Sequence, residues 1–279
     1  MAKYIYTVCT GRCGQISLTN YINKFSTNTY AEAEPPEPKY NERFIFSNLV
    51  RAIERKTYAT DELLGRGKAL IWHDNNENIK LNRLCKKRID RSNNLIIKKK
   101  KEIYFEISKF FIRSYCEKTI EQIPNLKVLY LTRDPLTSAI SFYNRKKFFE
   151  KDNFGLNYKK NIFKINDLNL FDKYLWMWIE IKLRLIDLQK KYNIEIIHYK
   201  SENIDNLEIL KKLFYALNIK HGNLKVQSRL NTNKLAGFND TKIDSFFIDK
   251  FENFKKKIPV DIKEKVPEFL NYDQTQNFI

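Results

Sequence analysis

One glycine-bearing loop near the start of the chain indicates its architecture: Thr10-Gly11-Arg12-Cys13-Gly14-Gln15-Ile16-Ser17. The apolar run 4–9 before it is rich in β-forming residues, and residues 18–22 after it fit the start of a helix. A strand, a glycine-bearing turn and a helix together can hold a phosphate, because the first helix amides and the helix dipole favour an anion. Arg12 adds a permanent cation and Ser17 a hydroxyl donor.

This loop differs from the Walker A sequence of P-loop nucleotide hydrolases, which reads G-x-x-x-x-G-K-[ST]. Gly11 and Gly14 are three residues apart, and no Gly-Lys-Ser/Thr follows them. On the loop alone, an ordinary strand-to-helix turn without a ligand is equally open.

The composition is that of a globular chain with an excess of positive charge. Of its 279 residues, 43% are hydrophobic and 14% aromatic, which suits one large α/β domain or two small ones. The net charge of +18 indicates either an anionic partner or the compositional bias of a chain rich in Lys, Asn and Ile. The apolar runs are shorter than a membrane span and the first strand follows Met1 almost at once, so we expect a cytoplasmic protein without a signal peptide.

The four cysteines, Cys9, Cys13, Cys85 and Cys116, form no C-x-x-C pair and match no zinc spacing. We therefore expect reduced thiols and no metal site. Cys13 falls at the predicted start of a helix, where we expect its thiol pKa to be lowered. A phosphatase-like C-x5-R loop is excluded, because neither Cys9 nor Cys13 is followed by arginine six residues later.

Strand-like and helix-like segments alternate along the chain. The apolar runs predict strands near 27–33, 69–73, 103–108, 126–131 and 194–199. Amphipathic spacing predicts helices near 41–57, 109–122, 171–192 and 207–217. We read 75–101 as a connecting loop or insertion and 240–279 as a C-terminal helical tail. The alternation predicts an α/β fold with a central parallel sheet flanked by helices, in which ligands bind beyond the carboxyl ends of the strands.

A second candidate anion site follows the apolar run 126–131. Arg133 ends the predicted strand, Pro135 opens a helix, and Ser141 lies about two turns into that helix. A guanidinium fork and a hydroxyl at this spacing can converge on one anion. The polar-basic segment 227–234, with Arg229 and Lys234, is a third such feature.

Candidate bases lie near the ends of two predicted strands. Glu32 and Glu34 fall at the end of the second strand, near whatever Arg12 holds, although a solvated acidic linker is an equally open interpretation. His73 ends the predicted strand 69–73 and is a third candidate, but a lone histidine is more often structural.

The two motifs in this order resemble the PAPS-dependent sulfotransferase family, of the bacterial type, whose enzymes use 3′-phosphoadenosine 5′-phosphosulfate (PAPS). That family's first loop reads [KR]-[ST]-[GA]-[ST]-[ST]-x-[LF], and here it is Arg12-Cys13-Gly14-Gln15-Ile16-Ser17-Leu18. Its second motif, R-[DN]-P-x(5)-S, is matched by Arg133-Asp134-Pro135 with Ser141. The stretch 199–202, Tyr-Lys-Ser-Glu, is similar to the family's Tyr-Glu-Asp-Leu region.

The resemblance implies a single domain over 1–279 with a three-layer fold of the P-loop NTPase kind. It implies that the cofactor contacts the first loop, the second motif and later polar residues: Arg12, Cys13, Gly14, Gln15, Ile16, Ser17, Arg133, Ser141, Tyr199, Arg229 and Lys234. It implies no metal. In the implied reaction Arg12 stabilises the leaving group, and Glu34 or Glu32 takes the acceptor's proton.

Two departures from the family pattern bear on activity. Gln15 and Ile16 replace loop hydroxyls, and Ser108 falls near the place where some branches carry a catalytic histidine. An inactive relative is therefore an open alternative.

The implied function is transfer of the sulfuryl group to a hydroxyl of a glycan, a lipid-linked sugar or a small metabolite. The alternatives are a P-loop-type nucleotide kinase or NTPase and a non-enzymatic polyanion binder. No nucleic-acid-binding motif is recognisable, so we expect no nucleic-acid partner.

Overall fold

The protein is described here from a computed structural model, which describes residues 3–35, 65, 67–144, 159–225 and 243–270. Its centre is a five-stranded sheet in the order β2-β3-β1-β4-β5, and every neighbouring pair is parallel. The strands are β1 (Lys3–Val8), β2 (Thr29–Ala33), β3 (Ile103–Ile107), β4 (Lys127–Thr132) and β5 (Ile196–Lys200). This sheet confirms the predicted α/β fold class.

Helices connect and cover the strands. Those before β4 are α1 (Gln15–Phe25), α2 (Lys68–Asp74), α3 (Asn78–Lys99) and α4 (Cys116–Gln122), the last continuing a π-helical turn at Phe111–Tyr115. Those between β4 and the end of the sheet region are α5 (Pro135–Tyr143), α6 (Leu170–Tyr192) and α7 (Leu207–Ala216), with a 3₁₀ turn at Ser201–Asp205. In the described part of the chain after residue 242, the helices are α8 (Ser245–Lys257), α9 (Val260–Lys265) and α10 (Pro267–Leu270).

The sheet separates two hydrophobic cores, because successive side chains of a strand point to opposite faces. Tyr4, Tyr6 and Val8 of β1 pack into a core with α3–α6 and α8–α10. Ile5 and Cys9 pack into the other core with α1 and α7. Two helical layers therefore enclose the sheet, as in a three-layer α/β fold.

The strand order sets the place for a ligand. The chain leaves β1, builds β2 and β3 on one side of it, and then crosses to build β4 and β5 on the other side. In parallel sheets a crevice opens at such a reversal, beyond the carboxyl ends of the strands. The loop after β1 and Arg133 after β4 both lie at this edge.

Two predictions of local structure are wrong. Residues 69–73 lie in α2, because a short apolar run can equally be one side of a helix, and here Ala69 is buried and Trp72 packs against the Leu81–Leu84 cluster. Most of 75–101, read as a loop, is the 22-residue helix α3. Its buried stripe includes the polar Arg88 and Ser92, so the apolar signal in the sequence is weak.

The C-terminal helices complete one core. Phe247, Phe251 and Phe254 of α8 are buried, as their helical spacing predicts. Phe269 of α10 packs against the rings of Phe251 and Trp178. The predicted helix at 41–57 and the segment 227–234 lie outside the described residues. Among the residues described, no helix combines the length and apolarity needed to cross a membrane.

Candidate active site

The loop between β1 and α1 is a tight turn that requires glycine. Gly11 and Gly14 have φ of 90° and 76°, in the region that side chains disfavour. A Cβ on Gly14 would lie 3.2 Å from Ser201 Cβ, and one on Gly11 would lie 3.2 Å from both the Lys109 stem and the Phe142 ring. The loop backbone is therefore packed closely against the ends of β3 and β5.

Helix α1 starts at this loop. Gly14 is the N-cap and has no capping side chain, and the first turn carries no acidic residue. The first intrahelical bond is donated by Leu18 N to Gly14 O, at 2.9 Å. The preceding amides have no intrahelical acceptor, so this helix start suits an anion.

Arg12 brings the two sequence motifs together. Its Nε donates to Ser141 Oγ at 3.2 Å, and its carbonyl oxygen accepts from Arg133 Nη1 at 3.2 Å. Ser141 is buried, and the residues Arg12 and Arg133 are partly exposed. Two cations and a hydroxyl thus converge next to the start of α1, which is a donor set for phosphate or sulfate groups.

Contacts at the start of helix α5 fix the backbone next to Arg133. Asp134 caps α5 by accepting from Thr137 N at 2.6 Å, and Trp178 Nε1 donates to Arg133 O at 2.9 Å. Glu202 accepts from Asp134 N at 2.9 Å. Burial raises the pKa of Asp134 to about 6, and the nearby Glu202 also raises it.

Glu34 lies at the same edge, just after β2. Its φ of 48° is unusual for a residue with a side chain, and its amide donates to Ile107 O at 2.9 Å. Its carboxylate lies 3.7 Å from Lys109 Nζ, and the Lys109 stem in turn borders Gly11. Glu34 and the first loop are therefore linked through Lys109.

Glu32 has different surroundings from Glu34. Arg91 of α3 holds both of its carboxylate oxygens, at 2.6 and 2.9 Å. Tyr104 OH donates a third hydrogen bond at 2.8 Å. These contacts leave Glu32 a structural ion pair beneath the end of β2.

Two solved structures share this arrangement of strands and helices. A sulfotransferase from Alicyclobacillus acidocaldarius superimposes with a TM-score of 0.50 at 13% identity, over 99% of this chain and 98% of that one. The fold is that of the sulfotransferases. The sulfotransferase domain from the curacin biosynthetic pathway is also similar, with a TM-score of 0.50 at 12% identity, over 98% of this chain and 99% of that one. No family model matches the sequence, and no curated protein matches it.

The other predicted loop residues take different positions in this sulfotransferase fold. The Cys13 side chain is fully buried in the core with Cys9, so only its backbone can face a ligand. Gln15 Nε2 donates to Ile107 O at 3.5 Å, whereas Ile16 is 46% exposed. Ser17 is partly buried in the first turn of α1.

The expected lowering of the Cys13 pKa is wrong. Burial raises the pKa of this thiol well above its usual value, and a hydrogen bond with Cys9 raises it further. The helix start favours the thiolate only when the sulfur faces it, and here the sulfur faces the core.

Four further candidates have no contact with the converging groups among the described residues or lie outside those residues. Tyr199 is buried on β5 in the core with α1 and α7, and burial raises its pKa. His73 lies in α2, and its pKa falls to about 3 through burial and then the charges of Lys160 and Arg184. Arg229 and Lys234 are outside the described residues.

Lys109 is a candidate site residue that the sequence analysis missed. It comes two residues after β3 and therefore lies at the same edge as the loops after β1 and β4. A cation directly after a predicted central strand was the available signal. Its pairing with Glu34 is a contact between two strand ends, which the sequence alone does not reveal.

Proposed function

We propose that this chain is a sulfotransferase that moves the sulfuryl group of PAPS to a hydroxyl-bearing acceptor. The observation that carries the proposal is the convergence of Arg12, Ser141 and Arg133 beside the start of α1. This is the place at which the sequence resemblance puts the two phosphate-binding motifs.

The chemistry of these donors fits a nucleotide with two separate anionic groups. Arg133 and Ser141 would hold the 3′-phosphate, and the α1 amides with Arg12 would hold the 5′-phosphosulfate. PAPS supplies an activated sulfuryl group, and its transfer forms a bond from sulfur to the acceptor oxygen and breaks the bond from sulfur to the phosphate oxygen. Because Gly11 and Gly14 have no side chains, the loop backbone can come close to such a ligand.

Glu34 would be the general base. It is placed at the strand edge next to the first loop through Lys109, and it would take the proton of the acceptor hydroxyl. Glu32 is the weaker candidate, because Arg91 and Tyr104 occupy its oxygens. Arg12 would stabilise the negative charge on the departing phosphate oxygen.

The acceptor would be a glycan, a lipid-linked sugar or a small metabolite. Pockets for acceptors come from loops in such folds, and much of the chain between β2 and α2 lies outside the described residues. We further propose that residues 1–279 form one domain, and that the protein is cytoplasmic.

A thermal shift measurement tests the cofactor. The desulfated product 3′-phosphoadenosine 5′-phosphate (PAP) should raise the melting temperature, because a ligand of the native state stabilises it by mass action. ATP with magnesium and AMP should have little effect. The PAP shift should vanish in Arg133→Ala and persist in Lys191→Ala, which removes a cation paired with Glu117 at the opposite end of the sheet.

Two outcomes would contradict the proposal. A shift with ATP and magnesium alone would favour a kinase or NTPase. No nucleotide shift, together with steeply salt-dependent binding to polyanions, would favour a non-enzymatic polyanion binder.

A further inference from the structure

Helix α3 places two arginines against the sheet directly below Glu34. Arg88 and Arg91 are three residues apart and so lie on the same side of the helix. They face Glu106 of β3 and Glu32 of β2, which are register partners on neighbouring parallel strands. Two carboxylates side by side repel each other, and the two guanidinium groups neutralise them.

Arg91 fixes the end of β2 from one side. It binds Glu32 with two parallel hydrogen bonds of 2.6 and 2.9 Å, a geometry that sets orientation as well as position. Tyr104 OH, on β3, supports the same carboxylate at 2.8 Å. Glu32 is two residues before Glu34, so this pair anchors the backbone that leads into the candidate base.

Arg88 fixes the chain on the other side of Glu34. Its Nη1 donates to Pro35 O at 3.1 Å, across 53 positions of sequence. Its Nη2 is held by Glu106 at 2.6 Å and by Tyr115 OH at 3.0 Å, and Arg88 is only 6% exposed. Pro35 directly follows Glu34, so the candidate base is bracketed by contacts to α3.

The backbone between these contacts is strained. A residue with a side chain rarely adopts a φ of 48°, and this conformation persists only where the surroundings determine it. Here the determinants are the contacts to Arg91 and Arg88 and the hydrogen bond from Glu34 N to Ile107 O, at 2.9 Å. This conformation gives the Glu34 carboxylate its approach to Lys109.

We propose that Arg88 and Arg91 are positioning residues that hold the Glu34 carboxylate at the open edge of the sheet. The effect of these arginines on catalysis rests on the proposed sulfuryl transfer, whereas their effect on the position of Glu34 does not. Replacement of buried ion pairs by apolar groups often leaves the free energy of unfolding unchanged. We therefore assign to these arginines the role of fixing the position of Glu34, and not a gain in stability.

The first experiment measures hydrogen exchange at the Glu34 amide and needs no activity. We compare the wild type with Arg91→Met, Arg91→Lys and the double variant Arg88→Met/Glu106→Gln, which removes both buried charges and so leaves neither of them unpaired. Exchange should be several-fold faster in Arg91→Met and in the double variant, and intermediate in Arg91→Lys, which keeps the charge without the fork. The control variant Lys191→Met should exchange as the wild type does.

The second experiment uses sulfuryl-transfer kinetics. In Arg91→Met, kcat should fall roughly 10- to 100-fold, as for a misplaced catalytic group, while KM for PAPS and the PAP thermal shift stay unchanged. The kcat of this variant should continue to rise at pH values where the wild type has levelled off, because hydroxide replaces the misplaced base. Adding Arg91→Met to Glu34→Gln should cause no further loss, since both changes remove the same function.

Unchanged exchange at the Glu34 amide in Arg91→Met and in the double variant would overturn the inference. Additive losses of kcat in the Arg91→Met/Glu34→Gln pair would overturn it as well. Absence of a PAP shift in the wild type contradicts the proposed function instead, and the exchange result still decides whether α3 positions Glu34.

Discussion

Glu34 and Glu32 show how contacts separate two carboxylates that look equivalent in the sequence. They are two residues apart near the end of one strand, but Arg91 and Tyr104 hold Glu32 while Glu34 lies at the edge beside Lys109. A general base must reach the proton that it removes. We therefore expect Glu34 to act as the base and Glu32 to have a structural role.

Replacing Glu34 with glutamine should lower kcat by about 10²- to 10⁴-fold, because the amide cannot accept the acceptor's proton. The PAP thermal shift should stay unchanged, since Glu34 lies outside the cluster of Arg12, Ser141 and Arg133. Steady-state kinetics with PAPS and a turned-over acceptor measures the change. Glu102→Gln, at the opposite end of β3, is the control. A kcat within twofold of the wild type in Glu34→Gln would exclude this base.

Gly14→Ala tests the loop itself. The new Cβ would meet Ser201 Cβ at 3.2 Å on a backbone with φ of 76°. The conformation costs roughly 1–2 kcal/mol for a residue with a side chain. Urea unfolding should therefore show a loss of this order, and the PAP shift should shrink as the amides at the start of α1 are displaced. Gly222→Ala is the control, because a Cβ there has open space. Equal stability and equal PAP shifts in both variants would contradict this account.

The start of α5 combines a helix cap with a candidate binding motif. Asp134 caps the helix through Thr137 N, and the neighbouring Arg133 points to the start of α1. The cap is partly buried beside Glu202, which is why ionising Asp134 is unfavourable in the folded state. The stability that the Asp134 cap gives to the folded protein therefore depends on pH.

Ionisation of Asp134 should reduce stability between about pH 4 and pH 6. Burial raises its pKa from 3.8 to about 6, so in this window the folded protein binds more protons at Asp134 than the unfolded chain does. Stability then falls as pH rises and levels off above pH 6. Asp134→Asn keeps an oxygen for Thr137 N but removes the charge. The stability of this variant relative to the wild type should rise by on the order of 2 kcal/mol across the window, measured by urea unfolding. If the difference in unfolding free energy between the variant and the wild type stays constant from pH 4 to pH 6, the raised pKa of Asp134 is contradicted.

The five strands of the sheet and the position of both sequence motifs at its edge could be predicted from the sequence, whereas α3 and its contacts could not. The run before Arg133 is continuously apolar, as a strand buried on both faces requires. In α3 the buried stripe includes Arg88 and Ser92, whose burial depends on partners far away in the sequence. The position of Lys109 beside Glu34 similarly depends on the pairing of β2 with β3. Contacts of this kind arise only when the sheet is assembled.

The whole molecule is joined by a core that reaches from the sheet to the last helices. Phe269 of α10 packs on the Trp178 ring of α6, at 5.6 Å between centroids. The indole nitrogen of Trp178 donates to Arg133 O, at 2.9 Å. One side chain thus contacts both the C-terminal helices and the candidate site, and the same hydrophobic cluster contains Tyr6 of the central strand.

This continuity leads to a prediction about cooperativity. Phe269 is fully buried, so Phe269→Ala should cost about 3–5 kcal/mol, the usual loss for a large buried aromatic side chain. If residues 1–279 form a single domain, urea unfolding followed by fluorescence and by circular dichroism should remain one transition, shifted to lower urea with an unchanged slope. Phe246→Ala, at a half-exposed position on α8, should shift it little. Two separated transitions in Phe269→Ala would instead identify the C-terminal helices as an independent unit. In that case the link from Phe269 through Trp178 to Arg133 would be too weak to couple them to the site.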